Sequence, residues 1–439
     1  MKLILTFLAF FFSFIAFSQV GVQPVVKDYI NSPATPKVKT YTTFQGSKSY
    51  QKDDILEVLN WGGYVIKDPN IIPVKSKQSL GCVEAILSDI KSSDVITDNR
   101  KVVSANQSTL DGFTHVFNEI SGMLNGDSEL SLKRAVFLTE GAYFGRSTSA
   151  IDYERFSNGL KRMANVCRNA TSPNDYELFE GDKVNSILFK YMTDTLEYQE
   201  GLTESSIKTS YPKRYDFNDP FGENEISNVF VSKLMRDNSG QCKSLPLLYL
   251  LLLEELGGEG YLSFSPEHSY VKCKKPYGGF YNIELTSGMV TSDSWVAGSG
   301  YIKSEAIRSG IYMDTVNTKQ VVANCLIDLA KYYKVQFGES EFVLRCANES
   351  LKYYPNNIHG LKLKSNYYTH LFNDLLKSCE ATNEEELKQC PDAYKAFAQM
   401  HKMYALITGV GYEAIPEDVY TSWLKEMELK RNEQELKVK

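Results

Sequence analysis

The chain has 439 residues, with 48 Lys and Arg against 54 Asp and Glu and a formal net charge of -6. That balance argues against a dedicated nucleic-acid binder, which would carry a basic surplus. The length exceeds what one hydrophobic core usually supports, so two or three domains are expected. Eight cysteines are neither a dense disulfide framework nor a thiol-free protein, so each is judged by its neighbourhood. No Cys-x-x-Cys and no paired His spacing occurs, which disfavours a structural zinc site; no cofactor or metal is expected.

At the N-terminus, Lys2 precedes an apolar run from Leu3 to Phe17 that ends in Ala16-Phe17-Ser18 before Gln19. This reads as a secretory signal over residues 1–18, too short for the roughly 20 residues of a spanning helix. The expectation is an exported chain, periplasmic or secreted, with no membrane span once the signal is removed. The longest later apolar stretch, Leu245 to Leu253, stops at Glu254 and Glu255. Residues 19–130 form an N-terminal region of unknown role, rich in extended Pro- and Thr-containing stretches, with one helical pattern around Asp53 to Leu59.

Helical periodicity begins after Ser131. Leu132, Ala135, Val136, Leu138 and Ala142 recur at mostly three- and four-residue steps, and Ile151 to Cys167 continues in kind. Tyr211-Pro212 and Asp219-Pro220-Phe221-Gly222 break the pattern, and Asn224 to Met235 restarts it. Lys243 to Leu256 is Leu-rich on every face, which predicts a helix buried on all sides. Gly257-Gly258-Glu259-Gly260 ends it. Three strand-like runs follow, Tyr261 to Ser265, His268 to Cys273 and Phe280 to Leu285, the last two joined by a Pro- and Gly-containing loop, Lys274 to Gly279.

Cys242 lies just before the predicted buried helix. Pro246 has no N–H for the carbonyl four residues back, so the helix starts no earlier than about Lys243 and Cys242 is at or next to its N-cap. The positive field and unpaired N–H groups of a helix start favour a thiolate and can hold an oxyanion. If the hairpin pairs Lys272 with Phe280, the same register sets Tyr270 opposite Asn282 and His268 opposite Glu284. Directly opposed residues have Cβ atoms about 5 Å apart, within reach of an imidazole–carboxylate hydrogen bond. Glu284 would then orient His268, and His268 would act as base toward Cys242. Asn282, on the same face in this register, is the competing orienter. Taken singly, a buried structural thiol, a strand histidine and a solvated carboxylate are the ordinary readings; the weight lies on the three fitting together.

The segments NSGQCKSLPLLYLLLLEELGG, SPEHSYVKC and FYNIELTSG resemble the transglutaminase-like superfamily, in which a Gly-x-Cys opens a helix, a His opens a strand, and an acid is followed two residues later by Thr. Within it, the chain is most similar to the SirB-type branch, whose core is followed by tetratricopeptide-like repeats. The resemblance covers residues 211–290 well and 131–210 loosely. It implies an α+β fold, a papain-like, transglutaminase-like core over residues 131–312, with a buried helix on an antiparallel sheet and helical regions on either side. It also implies Cys242 as nucleophile, His268 as general base and Glu284 where the family more usually has Asp, one methylene shorter. Members of that branch often lack the cysteine, which this chain has. The implied activity is cysteine-dependent amide acyl transfer on a peptide or protein substrate, as a peptidase or other hydrolase ahead of cross-linking. The alternative is a catalytically silent fold that binds a partner.

Residues 313–439 read as a tetratricopeptide-like helical domain. Leu326, Leu329, Ala330 and Tyr333, then Val343, Ala347, Ser350 and Pro355, resemble the two helices of one repeat. Leu361, Ser365 and Tyr368 begin a second, with its other helix over Ala393 to Ile407 and a charged cap from Pro416 to Lys439. Such an array implies a concave surface for a protein partner. Cys379 and Cys390 flank a short polar loop between two helices, and in an exported chain they are expected to form a disulfide that stabilises the hairpin by about 2 to 3 kcal/mol.

Overall fold

A computed structural model describes residues 107–145, 150–171, 178, 182–200, 206–219, 222, 224–300, 302–379, 381, 383–415, 419, 422, 425 and 429. The signal segment, the pattern at Asp53 to Leu59 and nearly all of the C-terminal charged cap lie outside these residues. The fold is α+β, rich in helix with small sheets. Among the described residues, no helix is long and apolar enough to cross a membrane.

At the centre is a helix over Ser244–Leu256, every residue of which from Ser244 to Leu253 is buried. It ends at Gly257, whose φ of 73° is a left-handed conformation that favours glycine. The chain then turns back into a four-stranded antiparallel sheet in sequence order: β1 (Tyr261–Ser265), β2 (His268–Lys274), β3 (Phe280–Glu284) and β4 (Met289–Thr291). The helix packs on the first two strands. The Leu-rich pattern explains this: a helix apolar all round needs cover on every side, and the sheet supplies one of them. The fourth strand has only three residues, too short for an alternating pattern to announce it.

The β2–β3 hairpin is tighter than the sequence suggests. Lys274, not Lys272, pairs with Phe280, followed by Lys272 with Asn282 and Val271 with Ile283. Gly278 (φ 100°) and Gly279 (φ 79°) allow the reversal; the Gly278 N–H donates to the Lys275 carbonyl and the Lys275 N–H to that of Gly279. A three-residue loop therefore suffices, and the register shifts by two residues from the expected one. A two-residue shift keeps every side chain on its face. His268 and Glu284 thus stay on one face, but as diagonal rather than direct neighbours.

Four longer helices end the described chain: Thr318–Phe337, Glu341–Tyr353, Ile358–Cys379 and Pro391–Gly409. The first two pack on each other, as do the last two. Leu326, Leu329, Ala330, Val343, Ala347, Ser350, Leu361 and Ser365 are all buried. The first pair shares one continuous core with the central helix and sheet, whereas Phe372, Leu376, Leu387, Ala393, Phe397 and Met400 form a second, smaller cluster. Sequence reading missed a helix over Gln107–Asn125, inside the region left without a role. Its Phe113 is fully buried and meets the rings of Tyr333, Phe337 and Phe342 edge-on, at centroid distances of 5.4, 5.8 and 6.2 Å. The signal was present: Phe113, Val116, Phe117, Ile120, Met123 and Leu124 recur at helical spacing.

Cys379 and Cys390 form a disulfide beside the smaller cluster, with Cα atoms 6.1 Å apart. Closing a loop of this length stabilises by about 3 kcal/mol in the chain-entropy model. Replacing both cysteines with Ser is expected to lower the unfolding free energy of the last two long helices by about that amount in urea titration. Non-reducing peptide mapping should recover the two peptides linked; ready alkylation of both thiols without reduction would show that the bridge is absent.

Candidate active site

Cys242 lies next to Lys243, the N-cap of the central helix, in a turn where the Leu245 N–H donates to the Gln241 carbonyl. Gly240 precedes it on a two-residue strand, Ser239–Gly240, paired in parallel with Arg214–Tyr215. A Cβ at position 240 would lie 2.6 Å from Ser244 Oγ, a collision that makes glycine the residue for this close entry. That serine hydroxyl accepts from the Gln241 N–H at 2.9 Å. The Gln241 side chain in turn donates to the carbonyls of Asp216 and Asp219, tying the chain segment after Tyr215 to the helix start.

Pro246 has a second effect here. Lacking an N–H, it leaves the Cys242 carbonyl without its helical donor, and the hydroxyl of Ser269 fills the gap at 2.7 Å. Ser269 follows His268 on β2. One hydrogen bond thus fastens the backbone of the cysteine to the strand that carries the histidine.

His268 Nε2 and Glu284 Oε2 are 2.6 Å apart, with both side chains buried. The diagonal relation explains how they meet. Diagonal neighbours are about 7–8 Å apart at the backbone, a span that a long side chain bridges, and Glu284 has a longer arm than Asp. The other carboxylate oxygen accepts from the Thr286 N–H at 3.1 Å and from its hydroxyl. Burial works against the Glu284 charge, but His268 and the two Thr286 donors outweigh it and hold the carboxyl below its usual pKa. Burial likewise opposes a charged His268, yet the Glu284 charge, the hydrogen bond to Glu284 and the nearness of Cys242 push the imidazole up to about 10. With Nε2 committed to Glu284, Nδ1 is the nitrogen left for the thiol; it is buried and makes no hydrogen bond of ordinary geometry.

Cys242, His268 and Glu284 are brought together at one end of the buried helix. Asn282 is not: its amide donates to Asp293 at 3.0 Å, beside Lys272, which pairs with the same carboxylate at 2.9 Å. The shorter hairpin is the reason, since it sets Asn282 opposite Lys272, so Asn282 does not orient His268. No family model matches the chain, and no curated protein matches it. Among solved structures, a crystal structure of menin, described as revealing the binding site for the Mixed Lineage Leukemia (MLL) protein, is similar at 11% identity with a TM-score of 0.30, over 72% of this chain and 88% of that one. A likeness of that size carries no argument about this site.

Sequence reasoning missed Ser269 as the partner of the Cys242 carbonyl, although Pro246 announced that some donor was needed. It also missed Tyr215, which is buried and close enough to feel the charges of Cys242 and Glu284; burial and those charges push its phenol pKa well up. A short strand more than twenty residues upstream leaves no sequence signal for that placement.

Two measurements probe this geometry. His268 has a folded pKa raised above its ordinary 6.5, so its pair with Glu284 contributes full stability below about pH 6.5 and loses it as pH rises toward 10. Glu284, with a lowered pKa, contributes above about 4.5 and loses that contribution at lower pH. Wild type should therefore keep a protonated His268 ring by NMR at pH 8, and Glu284→Gln should lose it and flatten the alkaline decline in stability. Separately, Ser269→Ala should cost about 1–3 kcal/mol, the penalty of an unsatisfied buried carbonyl. Adding Pro246→Ala, which returns an N–H, should recover part of that in urea titrations.

Proposed function

We propose that this chain is an exported, transglutaminase-like cysteine enzyme that transfers the acyl group of an amide, with hydrolysis of a peptide or protein substrate as the outcome. The observation that carries the reading is the buried His268–Glu284 pair at 2.6 Å beside a cysteine that adjoins the N-cap of a helix. The Cys242 sulfur attacks the amide carbonyl, and the backbone N–H groups of the helix start stabilise the oxyanion that forms. His268, held protonated by Glu284, gives its proton to the leaving amine. It then takes a proton from the water that attacks the thioester, and the acid product leaves with the sulfur released as the thiolate that attacked and His268 protonated as at the start. Glu284 orients the ring and stabilises its charge throughout. Water is always available to a thioester, whereas cross-linking needs an amine subsite; hydrolysis is therefore the first choice.

Export is supported by the Cys379–Cys390 disulfide, a bond that persists in oxidising compartments. The two C-terminal helix pairs are read as tetratricopeptide-like, with a protein partner as their ligand. One observation favours the second reading, a silent fold that only binds: Cys242, His268 and Glu284 are 2%, 3% and 4% exposed. On the enzymatic reading, the cover over the sulfur moves when substrate enters.

The deciding experiment uses a peptide library and mass spectrometry of both products and protein. Wild type should release cleaved peptides and show an acyl adduct on Cys242, while Cys242→Ala should lose at least a hundredfold in turnover with its circular dichroism unchanged. Turnover retained in that variant overturns the enzyme. A folded wild type that cleaves nothing and never acylates favours the binding module.

A further inference from the structure

The C-terminal helices reach the candidate site at two points, each one residue from a member of the triad. Lys243, the neighbour of Cys242, donates to the hydroxyl of Tyr332 at 2.6 Å and pairs with Asp328 at 2.8 Å. Both partners lie on the helix Thr318–Phe337 and are buried. Glu267, the neighbour of His268, accepts from Lys362 at 2.8 Å, and Lys362 lies on the helix Ile358–Cys379. Its carboxylate is presented from a left-handed residue, φ 52°, at the turn between β1 and β2. A non-glycine residue in that conformation is strained and persists where its surroundings hold it. From the same helix, His359 meets Phe264 of β1 edge-on at 5.1 Å. Each ion pair is largely withdrawn from water, with side-chain exposures of 21% and 8% for Lys243 and Asp328, and 16% for both Lys362 and Glu267. They are therefore less screened than surface pairs.

We infer that Asp328 and Lys362 are positioning residues of the triad, through which the C-terminal helices set the distance between Cys242 and His268. The inference rests on the proposed role of those two residues. Cys242 and His268 come from different elements, one from a helix start and one from a strand start. The bond between Ser269 and the Cys242 carbonyl joins them directly on one side. The two ion pairs tie the residues next to Cys242 and His268 to C-terminal helices that pack on one another. Displacement of either helix drags the residue next to the thiol or next to the imidazole. A ligand of the C-terminal helices would therefore alter the site without touching it.

The test reads the site directly, so that it works whether or not the chain turns over a substrate. The pH profile of Cys242 alkylation by iodoacetamide, followed by mass spectrometry, and the His268 midpoint by NMR are measured in the full chain. Asp328→Asn and Lys362→Met are each expected to change the alkylation rate at pH 7 by at least fivefold and to shift the His268 midpoint downward by at least one pH unit. Lys362→Arg, which keeps the pair, should stay within twofold of wild type, and the swap Glu267→Lys with Lys362→Glu should restore most of the profile. A merely structural role would lower thermal stability without moving either profile. Should Asp328→Asn unfold, Tyr332→Phe removes only the hydroxyl and is expected to show the same shift at smaller size. Profiles that match wild type in folded Lys362→Met, and in whichever of Asp328→Asn and Tyr332→Phe folds, overturn the inference. Absence of peptide cleavage in wild type counts against the enzymatic reading alone, because the two profiles still report the coupling.

Discussion

The burial of one helix on every side is the constraint from which the other elements follow. Ser244 to Leu253 are all buried, with the sheet and the preceding helices packed around them. The packing is close at both ends. A Cβ at Gly240 would collide with Ser244, and one at Gly258 or Gly260 would lie within 2.7 Å of Leu253 side-chain atoms. The chain therefore enters and leaves this helix through glycines packed close against its side chains, next to the points where Cys242 and the first strand emerge.

The same burial makes the polar groups at the helix start consequential. A carbonyl, a carboxylate and an imidazole withdrawn from water must each find partners within the protein. Cys242 O finds Ser269, Glu284 finds His268 and Thr286, and Gln241 finds the carbonyls of Asp216 and Asp219. Satisfying these groups brings the helix start, the second strand and the segment near Tyr215 to one point. A charged pair in such a place is costly to leave unpaired, which is why Glu284 and His268 hold each other's charge.

The C-terminal helices share the main core instead of standing beside it. Tyr332 is fully buried against Phe230, with ring centroids 4.8 Å apart, and Phe113 from the helix Gln107–Asn125 packs on the neighbouring Tyr333 of the same C-terminal helix. On the proposed reading, the helices that bind a partner and the core that carries the thiol are one mechanical unit. Only the smaller cluster around Phe372 and Phe397 has a core of its own, and it is this part that the disulfide fastens.

By itself, the sequence determined the local structure. The all-round Leu pattern gave the buried helix, Pro246 located its start next to Cys242, and Gly257 located its end. The two-residue period kept His268 and Glu284 on one face even though the expected register was two residues off, because an even shift does not change the face. Cys379 and Cys390 were legible as a pair because only a short loop separates them. Tertiary structure alone decided what depends on residues far apart in the chain. It turned the Glu284 carboxylate onto His268 and sent the Asn282 amide to Asp293, a choice made by a hairpin loop whose tightness depends on two positive φ angles. It brought Ser269 to the Cys242 carbonyl, Asp328 to Lys243 and Lys362 to Glu267. Sequence periodicity reports which side of an element faces the core; it contains no information about which distant element lies there.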